Sequence, residues 1–310
     1  MMDNREPVKV RFEPGAVQMQ PGRQSFMSAT SLPSCSSTGG PSEQSVYQGM
    51  QPGGVKHSRC NVLGVRVSAI NMEEAVRLAD LHVQTGRSGY VCVTGVHGVM
   101  EAQTDPNFGM ILNRSTITTP DGMPMVWVGR AQGHSCMSRV YGPDFMLQMC
   151  EISVARGYRH FLYGGKPGVA ESLAKNLSDR FPGVRIAGTF TPPFRPLNDS
   201  EEKDLLRQLQ DCKPDFFWVG LSTPKQERFM AQYADKLNVP LLVGVGAAFD
   251  ILSGGISDAP QWMKQSGLQW LHRLIQEPRR LGKRYLINNP KFIWRIALQL
   301  THIRNFDLEQ

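Results

Sequence analysis

The densest run of residues able to do chemistry lies between Pro214 and Gly255, PDFFWVGLSTPKQERFMAQYADKLNVPLLVGVGAAFDILSGG. Ser222, Thr223, Lys225, Gln226 and Glu227 follow one short apolar run, Phe216–Val219, and Asp250 follows a second, Leu241–Val245. Glu227 in the first turn of a helix suits the helix dipole, whereas Lys225 opposes it. A cation in that place points to an anionic ligand. Earlier in the chain, Asp121 stands in TTPDGMP directly after a short β-branched run. A carboxylate there could act as general base on a substrate hydroxyl, or could bond its own backbone in a turn. Thr94 closes the run Tyr90–Val93, and His97 follows within a turn. The Thr hydroxyl could hold a sugar or phosphate oxygen or cap the next helix, and His97 could be an acid/base group or a structural one. Gly164–Gly165–Lys166–Pro167–Gly168 lets a backbone approach a phosphate at a helix start, or is plain turn chemistry; it is neither a Walker loop nor GxGxxG. Gly244–Asp250 is a second small-residue turn, where Asp250 could bind a ribose or sugar hydroxyl or bond backbone amides. Arg139 in SRVYGPD, taken alone, reads as a surface residue.

The elements that must position these groups alternate. Phe216–Val219 and Leu241–Val245 have the length and composition of strands buried on both faces of a parallel sheet. Pro224 opens a helix between them over Lys225–Lys236, which makes a βαβ unit. Further strands are predicted over Asn61–Val67, Tyr90–Val93, Ser115–Thr118, His160–Tyr163 and Val184–Gly188. Helices are predicted from Asn71, as cap, to about Thr85, through Met100–Gln103 and Phe108–Asn113, over Met123–Ala131 and Pro143–Arg156, to about Phe181, and over Ser200–Cys212 with Ser200 near its cap. The pattern argues for an α/β fold, a Rossmann-like, doubly wound, mostly parallel sheet covered on both faces. In such sheets ligands bind beyond the carboxyl ends of the strands. After Gly255 only helical pieces remain, over Ala259–Ile275, Pro278–Leu286 and Pro290–Arg304, so residues 256–310 form an appendage to a core over 57–255. Residues 1–56 are rich in Pro, Gly, Ser and Gln without apolar periodicity and read as a disordered extension, with Val8–Phe12 a stray strand at most.

The 310 residues are 41% hydrophobic, enough for a sizeable core. No run of about 18 apolar residues occurs, so no spanning helix is expected, and no signal-peptide order opens the chain. The six cysteines form no CxxC pair and have no His at ligand spacing, which argues against zinc and for a reduced, cytoplasmic setting. The net charge of +7 is concentrated in the tail: from Gln261 onward nine basic residues face three acidic ones. Trp262, Trp270, Tyr285, Phe292 and Trp294 interleave with those arginines and lysines. This is the pattern of an amphipathic element on an anionic bilayer, or equally of a helix packed on the core with its charges solvated.

Taken in order, these motifs resemble the WecG/TagA/CpsF glycosyltransferases of bacterial surface-polysaccharide synthesis. The likeness runs from about Val62 to Leu300 and rests on Thr94, PDGMPMVW from Pro120, RVYGPD from Arg139, FLYGG from Phe161, GLSTPKQE from Gly220, GVGAAFD from Gly244 and APQWMKQSGLQWLHRLIQEPRRLGKRYL from Ala259. The resemblance implies an inverting transferase that needs no metal or cofactor and uses a UDP-sugar, typically UDP-N-acetylmannosamine or its uronic acid. The implied acceptor is a polyprenyl-diphosphate-linked sugar at the inner face of the cell membrane. By position Asp121 is the general base, Thr94 shapes the site with His97 beside it, and Gln226 and Asp250 lie near the donor. Arg139, Gly164, Gly165, Lys225 and Glu227 are further substrate-binding candidates. The appendage is expected to close over the site, supply Arg273, Arg279, Arg280 and Arg284 to the diphosphate and touch the membrane. A homo-oligomer is compatible with the resemblance. The chain departs from the family pattern at Asp258, where many members have Arg before Ala-Pro, at Ser222 (Gly), at Gln269 (Glu), and in lacking the Asn that often follows the Thr. The donor sugar is what these departures leave open.

Two other readings compete. A dinucleotide oxidoreductase would need GxGxxG with a downstream acidic residue, which the chain lacks. A binder of RNA or DNA through the tail would be expected to carry a known module, and none is present.

Overall fold

The computed structural model describes residues 56–307. The predicted N-terminal extension, with its possible strand at Val8–Phe12, lies outside the described residues apart from Lys56. The described chain opens with a hairpin, β1 (Arg59–Val62) antiparallel to β2 (Val65–Ser68), where the sequence predicts one strand over Asn61–Val67. Leu63 and Gly64 break that run with φ of 51° and 82°, the positive-φ pair whose twist suits a two-residue hairpin turn. Leu63 tolerates the turn because its side chain stays buried and its N–H donates to Gln299 Oε1 at 2.9 Å. The Gly64 N–H donates to Asn61 Oδ1 at 2.7 Å.

The core then alternates as predicted: α1 (Met72–Gln84), β3 (Gly89–Thr94), α2 (Val96–Ala102), α3 (Pro106–Arg114), β4 (Ile117–Pro120), α4 (Met123–Ala131), α5 (Gly142–Arg156), β5 (Arg159–Gly164), α6 (Val169–Arg180), β6 (Arg185–Phe190), α7 (Asp199–Cys212), β7 (Phe216–Gly220), α8 (Lys225–Tyr233), β8 (Leu241–Gly244) and α9 (Ala248–Leu252). Asn71 caps α1 by accepting from the Glu74 N–H at 2.8 Å. The cap of α7 is Asn198, two residues before Ser200: Asn198 and Glu201 satisfy each other's backbone N–H reciprocally, each at 2.9 Å, which leaves Ser200 inside the first turn.

Six strands form one sheet in the order β4-β3-β8-β7-β5-β6, every pair parallel. Side chains alternate between its faces. Tyr90, Cys92, Phe217, Val219 and Leu242 pack on one side with α2, α3, α4, α7 and α8. Val91, Val93, Phe216, Trp218 and Val243 pack on the other with α1, α5, α6 and α9. Both layers are covered, which is why the central strands read as unbroken apolar runs. Trp218 is fully buried, and its indole N–H donates to His160 Nδ1 at 2.9 Å.

The appendage is α10 (Gln261–Gln265), α11 (Gln269–Gln276) and α12 (Pro278–Leu300). The predicted helix over Ala259–Ile275 is thus two, divided at Gly267. Its φ of 77° ends α10, and a Cβ there would come within 3.2 Å of Met123 and Trp127. Conversely, the two predicted helices on either side of Pro290 are one. Proline removes the bond to the Leu286 carbonyl, but Leu286 and Pro290 lie on the exposed face, where water can take that carbonyl. Leu281, Phe292 and Ile296 are buried on the opposite face and hold the axis through it. Helix α12 packs against α2 and α11. Among the described residues no helix is long and apolar enough to cross a membrane.

Candidate active site

The parallel register brings the carboxyl ends of the strands level. Thr94 pairs with Pro120, Gly164 with Gly220, and Val219 with Gly244. The loops after β3, β4, β5, β7 and β8 therefore share one edge, and they carry Thr94, Asp121, Gly164, Gly165, Lys225, Gln226, Glu227 and Asp250 between them.

Asp121 follows β4, and its N–H donates to the Thr94 carbonyl at 2.9 Å. A Cβ at Gly95 would lie 2.7 Å from the Asp121 carbonyl, so glycine there is what lets the two strand ends close up. The Asp121 carboxyl is about one-third exposed and lies 3.7 Å from Arg139 Nε. Enclosure pushes it above the ordinary carboxylate range, with Asp144 adding to this, while Arg139 and Arg273 pull it down. Thr94 is buried and donates to the Cys92 carbonyl at 3.4 Å. It does not cap α2, whose cap position is Gly95, with no side-chain bond. His97 is half-buried. Its Nδ1 lies 3.5 Å from Asn288 Nδ2 of α12, and burial together with Arg284 pushes the imidazole down to about 4, leaving it neutral at neutral pH.

Arg139 is not the surface residue that its segment alone suggested. Its side chain is only 12% exposed. The guanidinium lies 4.2 Å from the Tyr141 ring centroid, and an Nη donates to Gln269 Oε1 of α11. The other side of the cluster is Asp258, which accepts from the Tyr141 hydroxyl at 2.9 Å and from the Ala259 N–H at 2.8 Å and pairs with Lys264. Asp258 and Gln269, two of the departures noted in the sequence, are thus occupied in tying the appendage to the core. Tyr141 is the residue that sequence reasoning missed. Its signal was its place in RVYGPD, two residues from Arg139.

Glu227 and Gln226 are buried at the start of α8. Thr223 Oγ1 and Gln226 Nε2 donate to Glu227 Oε1 at 2.7 Å and 3.0 Å. Burial raises the Glu227 carboxyl, and those two donors partly offset it. Lys225 is exposed and forms no ion pair among the described residues, and the half-buried Asp250 likewise has no side-chain bond among them. Gly164 and Gly165 have a steric explanation: a Cβ would lie 2.6 Å from the Gly220 carbonyl at the first and 2.9 Å from Val169 at the second.

From the appendage, Arg273 and Arg280 both pair with Glu277. Burial holds Arg284 below the usual guanidinium range, Arg280 and Arg273 add to this, and Tyr285 and Glu277 oppose it. One carboxylate is shared by this group of guanidiniums, and Arg273 acts on Asp121 through its field. Arg279 is exposed and forms no ion pair among the described residues. Among the described residues no group of three or more His, Cys, Asp or Glu could hold a metal ion.

A six-stranded parallel α/β sheet with a carboxylate at its carboxyl edge, 3.7 Å from a guanidinium, has the architecture of a Rossmann-like enzyme. The chain belongs to the Glycosyl transferase WecG/TagA/CpsF family, whose pattern it matches over residues 60–305. It is similar to an N-acetylglucosaminyldiphosphoundecaprenol N-acetyl-beta-D-mannosaminyltransferase of Bacillus subtilis (strain 168), 29% identical over 191 residues, 61% of this chain and 71% of the relative. A Bacillus spizizenii (strain ATCC 23059 / NRRL B-14472 / W23) protein of the same name is 24% identical over 70% of this chain and 81% of its own length. One from Staphylococcus aureus (strain MW2) is 21% identical over 77% and 92%.

Proposed function

We propose that this glycosyltransferase moves N-acetylmannosamine, or a sugar like it, from a UDP-sugar to a polyprenyl-diphosphate-linked N-acetylglucosamine in surface-polysaccharide synthesis. It does so with inversion and without a metal. The observation that carries the reading is Asp121, enclosed at the strand ends, 3.7 Å from Arg139 and within the field of Arg273. As the acceptor hydroxyl oxygen bonds to the anomeric carbon, its proton passes to the Asp121 carboxylate. The bond to the diphosphate oxygen breaks with its electron pair, and UDP leaves. The charge that develops on UDP needs positive groups already in place, and Arg273, Arg280 and Arg284 are the candidates, since guanidiniums bind phosphate oxygens in a fork. Thr94, neutral His97, Gln226 and Asp250 line the donor side.

A lipid-linked acceptor requires the enzyme to meet the bilayer. Support for this is the exposed face of the appendage, where Trp262, Leu286, Ile293, Trp294 and Ile303 are each more than 60% exposed beside Lys283 and Lys291. Apolar side chains with lysines suit an anionic interface. On this reading the enzyme is peripheral on the inner face of the membrane.

The test is UDP release from a panel of UDP-sugars with a polyprenyl-diphosphate-N-acetylglucosamine acceptor in EDTA. Acceptor-dependent turnover that falls by about 100-fold or more in Asp121→Asn is expected. Turnover that needs a divalent cation, or an Asp121→Asn enzyme as fast as wild type, counts against the mechanism.

A further inference from the structure

Helix α4 starts at Met123, two residues after Asp121. Its residues Met125, Val126, Val128 and Gly129 are buried, yet Trp127 among them is 54% exposed. Met123 and Trp127 stand one turn apart on the same side of the helix. That side meets the turn between α10 and α11. A Cβ at Gly267 would lie 3.2 Å from Met123 Cβ, 3.2 Å from Trp127 Cη2 and 3.5 Å from Trp127 Cζ2. One edge of the indole is therefore held against the appendage, while about half of the residue stays open. A lone exposed apolar side chain needs no explanation. A tryptophan fixed at one edge, about 6 Å of helix beyond Met123, stands beside the enclosed carboxylate and does.

The strand order indicates which part of the reaction that side serves. Strand β4, which leads into Asp121, is an edge of the sheet, and inward from it come β3, β8 and β7. The donor-side candidates follow those inner strands: Thr94 after β3, Asp250 after β8 and Gln226 after β7. With neighbouring strands about 4.8 Å apart, they extend about 5 to 15 Å inward from Asp121. A donor laid along those loops leaves the β4 side of Asp121 to the acceptor. Inversion has the same requirement, since the incoming hydroxyl attacks opposite the departing diphosphate. Helix α4 is on that side: it packs on β4 and on β1 of the hairpin.

We propose that Trp127 is the platform for the acceptor sugar. The N-acetylglucosamine ring of the acceptor lays one C–H face on the open face of the indole and turns its nucleophilic hydroxyl toward Asp121. This rests on the transferase reading above and adds the acceptor's place to it. A pyranose carries hydroxyls around its rim and C–H groups on its faces. Those C–H groups are weakly positive, and the face of an aromatic ring is negative. The indole has two rotatable bonds and is braced by Gly267 and Met123, so little freedom is left to lose when a sugar stacks on it.

The experiment measures initial rates against acceptor concentration for the full chain, as wild type, Trp127→Leu and Trp127→Phe, with UDP-N-acetylmannosamine as donor. The acceptor is an N-acetylglucosaminyl-diphospholipid in two forms: one with a short, water-soluble chain and no membrane present, one with a long chain in anionic vesicles. Calorimetric binding of UDP reports the fold of each variant. Trp127→Leu keeps an apolar side chain against Gly267 but has no aromatic face. It is expected to lower kcat/KM for the short-chain acceptor about tenfold, mostly through KM, with UDP binding within about twofold of wild type. Trp127→Phe keeps a face and is expected within about threefold of wild type. Trp127→Leu as efficient as wild type on the short-chain acceptor overturns the proposal. So does a loss confined to the vesicle-borne acceptor, which assigns the ring to the membrane. Trp127→Phe as weak as Trp127→Leu overturns the stacking. A Trp127→Leu loss matched by an equal loss of UDP binding also overturns it, since the ring then only holds the fold. Wild type without turnover on either acceptor overturns the transferase reading itself, and the proposal with it.

Discussion

At the scale of single residues the site is a balance of charge around Asp121. Arg139 sits near it because its guanidinium is packed on the Tyr141 ring at 4.2 Å, and Lys264 lies on the same ring at 5.0 Å. An Arg stacked on an aromatic face is held by its plane as well as its charge. The groups facing Asp121 are Arg139 and Arg273, which favour its ionised form, and Asp144, which opposes it. On the proposed mechanism Asp121 is the general base and acts only when ionised, so activity is expected to fall as pH falls through its value. Tyr141→Leu removes the stacking surface, releases Arg139 and raises the Asp121 carboxyl. The acid limb of the kcat profile is expected to move up by about 0.5 to 1 pH unit. Tyr141→Phe keeps the ring and should leave the limb within about 0.3 unit of wild type. An unmoved limb in Tyr141→Leu, read from a pH–rate profile, would mean that Arg139 is held without the ring. Arg139 shows the limit of reading one position at a time. Its type and place were visible in the sequence, but its burial and partners were not, because Gln269 reaches it from a segment 130 positions away.

At the scale of elements, α12 has two apolar faces. Leu281, Phe292 and Ile296 bury one against the core, while Leu286, Ile293 and Trp294 leave the other exposed. A helix needs only one such face to dock on its own protein, so the second is free for an interface. Trp294→Ser together with Ile293→Ser is expected to weaken binding to anionic lipid vesicles about tenfold or more, with Tm unchanged within about 2 °C, since neither side chain is buried. Flotation assays and a thermal melt check both halves. Equal vesicle binding by the double variant would return this face to ordinary solvent exposure. The same helix shows what local signals miss. Proline marked a break at residue 290, yet packing on the opposite face carried the helix through it. Leu63 shows the reverse error: an apolar residue inside an apolar run read as strand, while a long-range bond to Gln299 holds it in a turn.

At the scale of the whole molecule, stability and pH are linked through buried imidazoles. His160 is fully buried, takes the Trp218 N–H on Nδ1, and is pushed down to about 3 by burial. In the unfolded chain an imidazole titrates near 6.5. Its folded value is depressed, so its contribution is fully present above about pH 6.5 and is lost as pH falls toward the folded value, at up to about 1.4 kcal/mol per pH unit. Between pH 7.5 and pH 5 this group alone costs about 2 kcal/mol, and the half-buried His97 acts in the same direction. Urea midpoints at several pH values should show the decline, and His160→Gln should flatten it. A wild type equally stable at pH 5 and 7.5 would contradict the neutral, buried state of His160.

The alternation of strands and helices, the parallel class of the sheet, the basic tail and the residue types at each strand end are all legible in the chain's residues. These follow from local periodicity, turn chemistry and charge, which short segments carry. The ordered motifs that mark the family are legible too. Which of those strand ends stand together is not legible there, because the order β4-β3-β8-β7-β5-β6 is set by packing between segments far apart in the chain. That order puts Thr94 beside Asp121 and Gln226 over the Gly244–Gly246 turn. It also separated the arginines. Arg273 and Arg280 pair with Glu277, and their fields reach Arg284 and Tyr285, while Arg279, identical in type and adjacent in sequence, forms no ion pair among the described residues, because the turn of α12 is a property of the folded molecule.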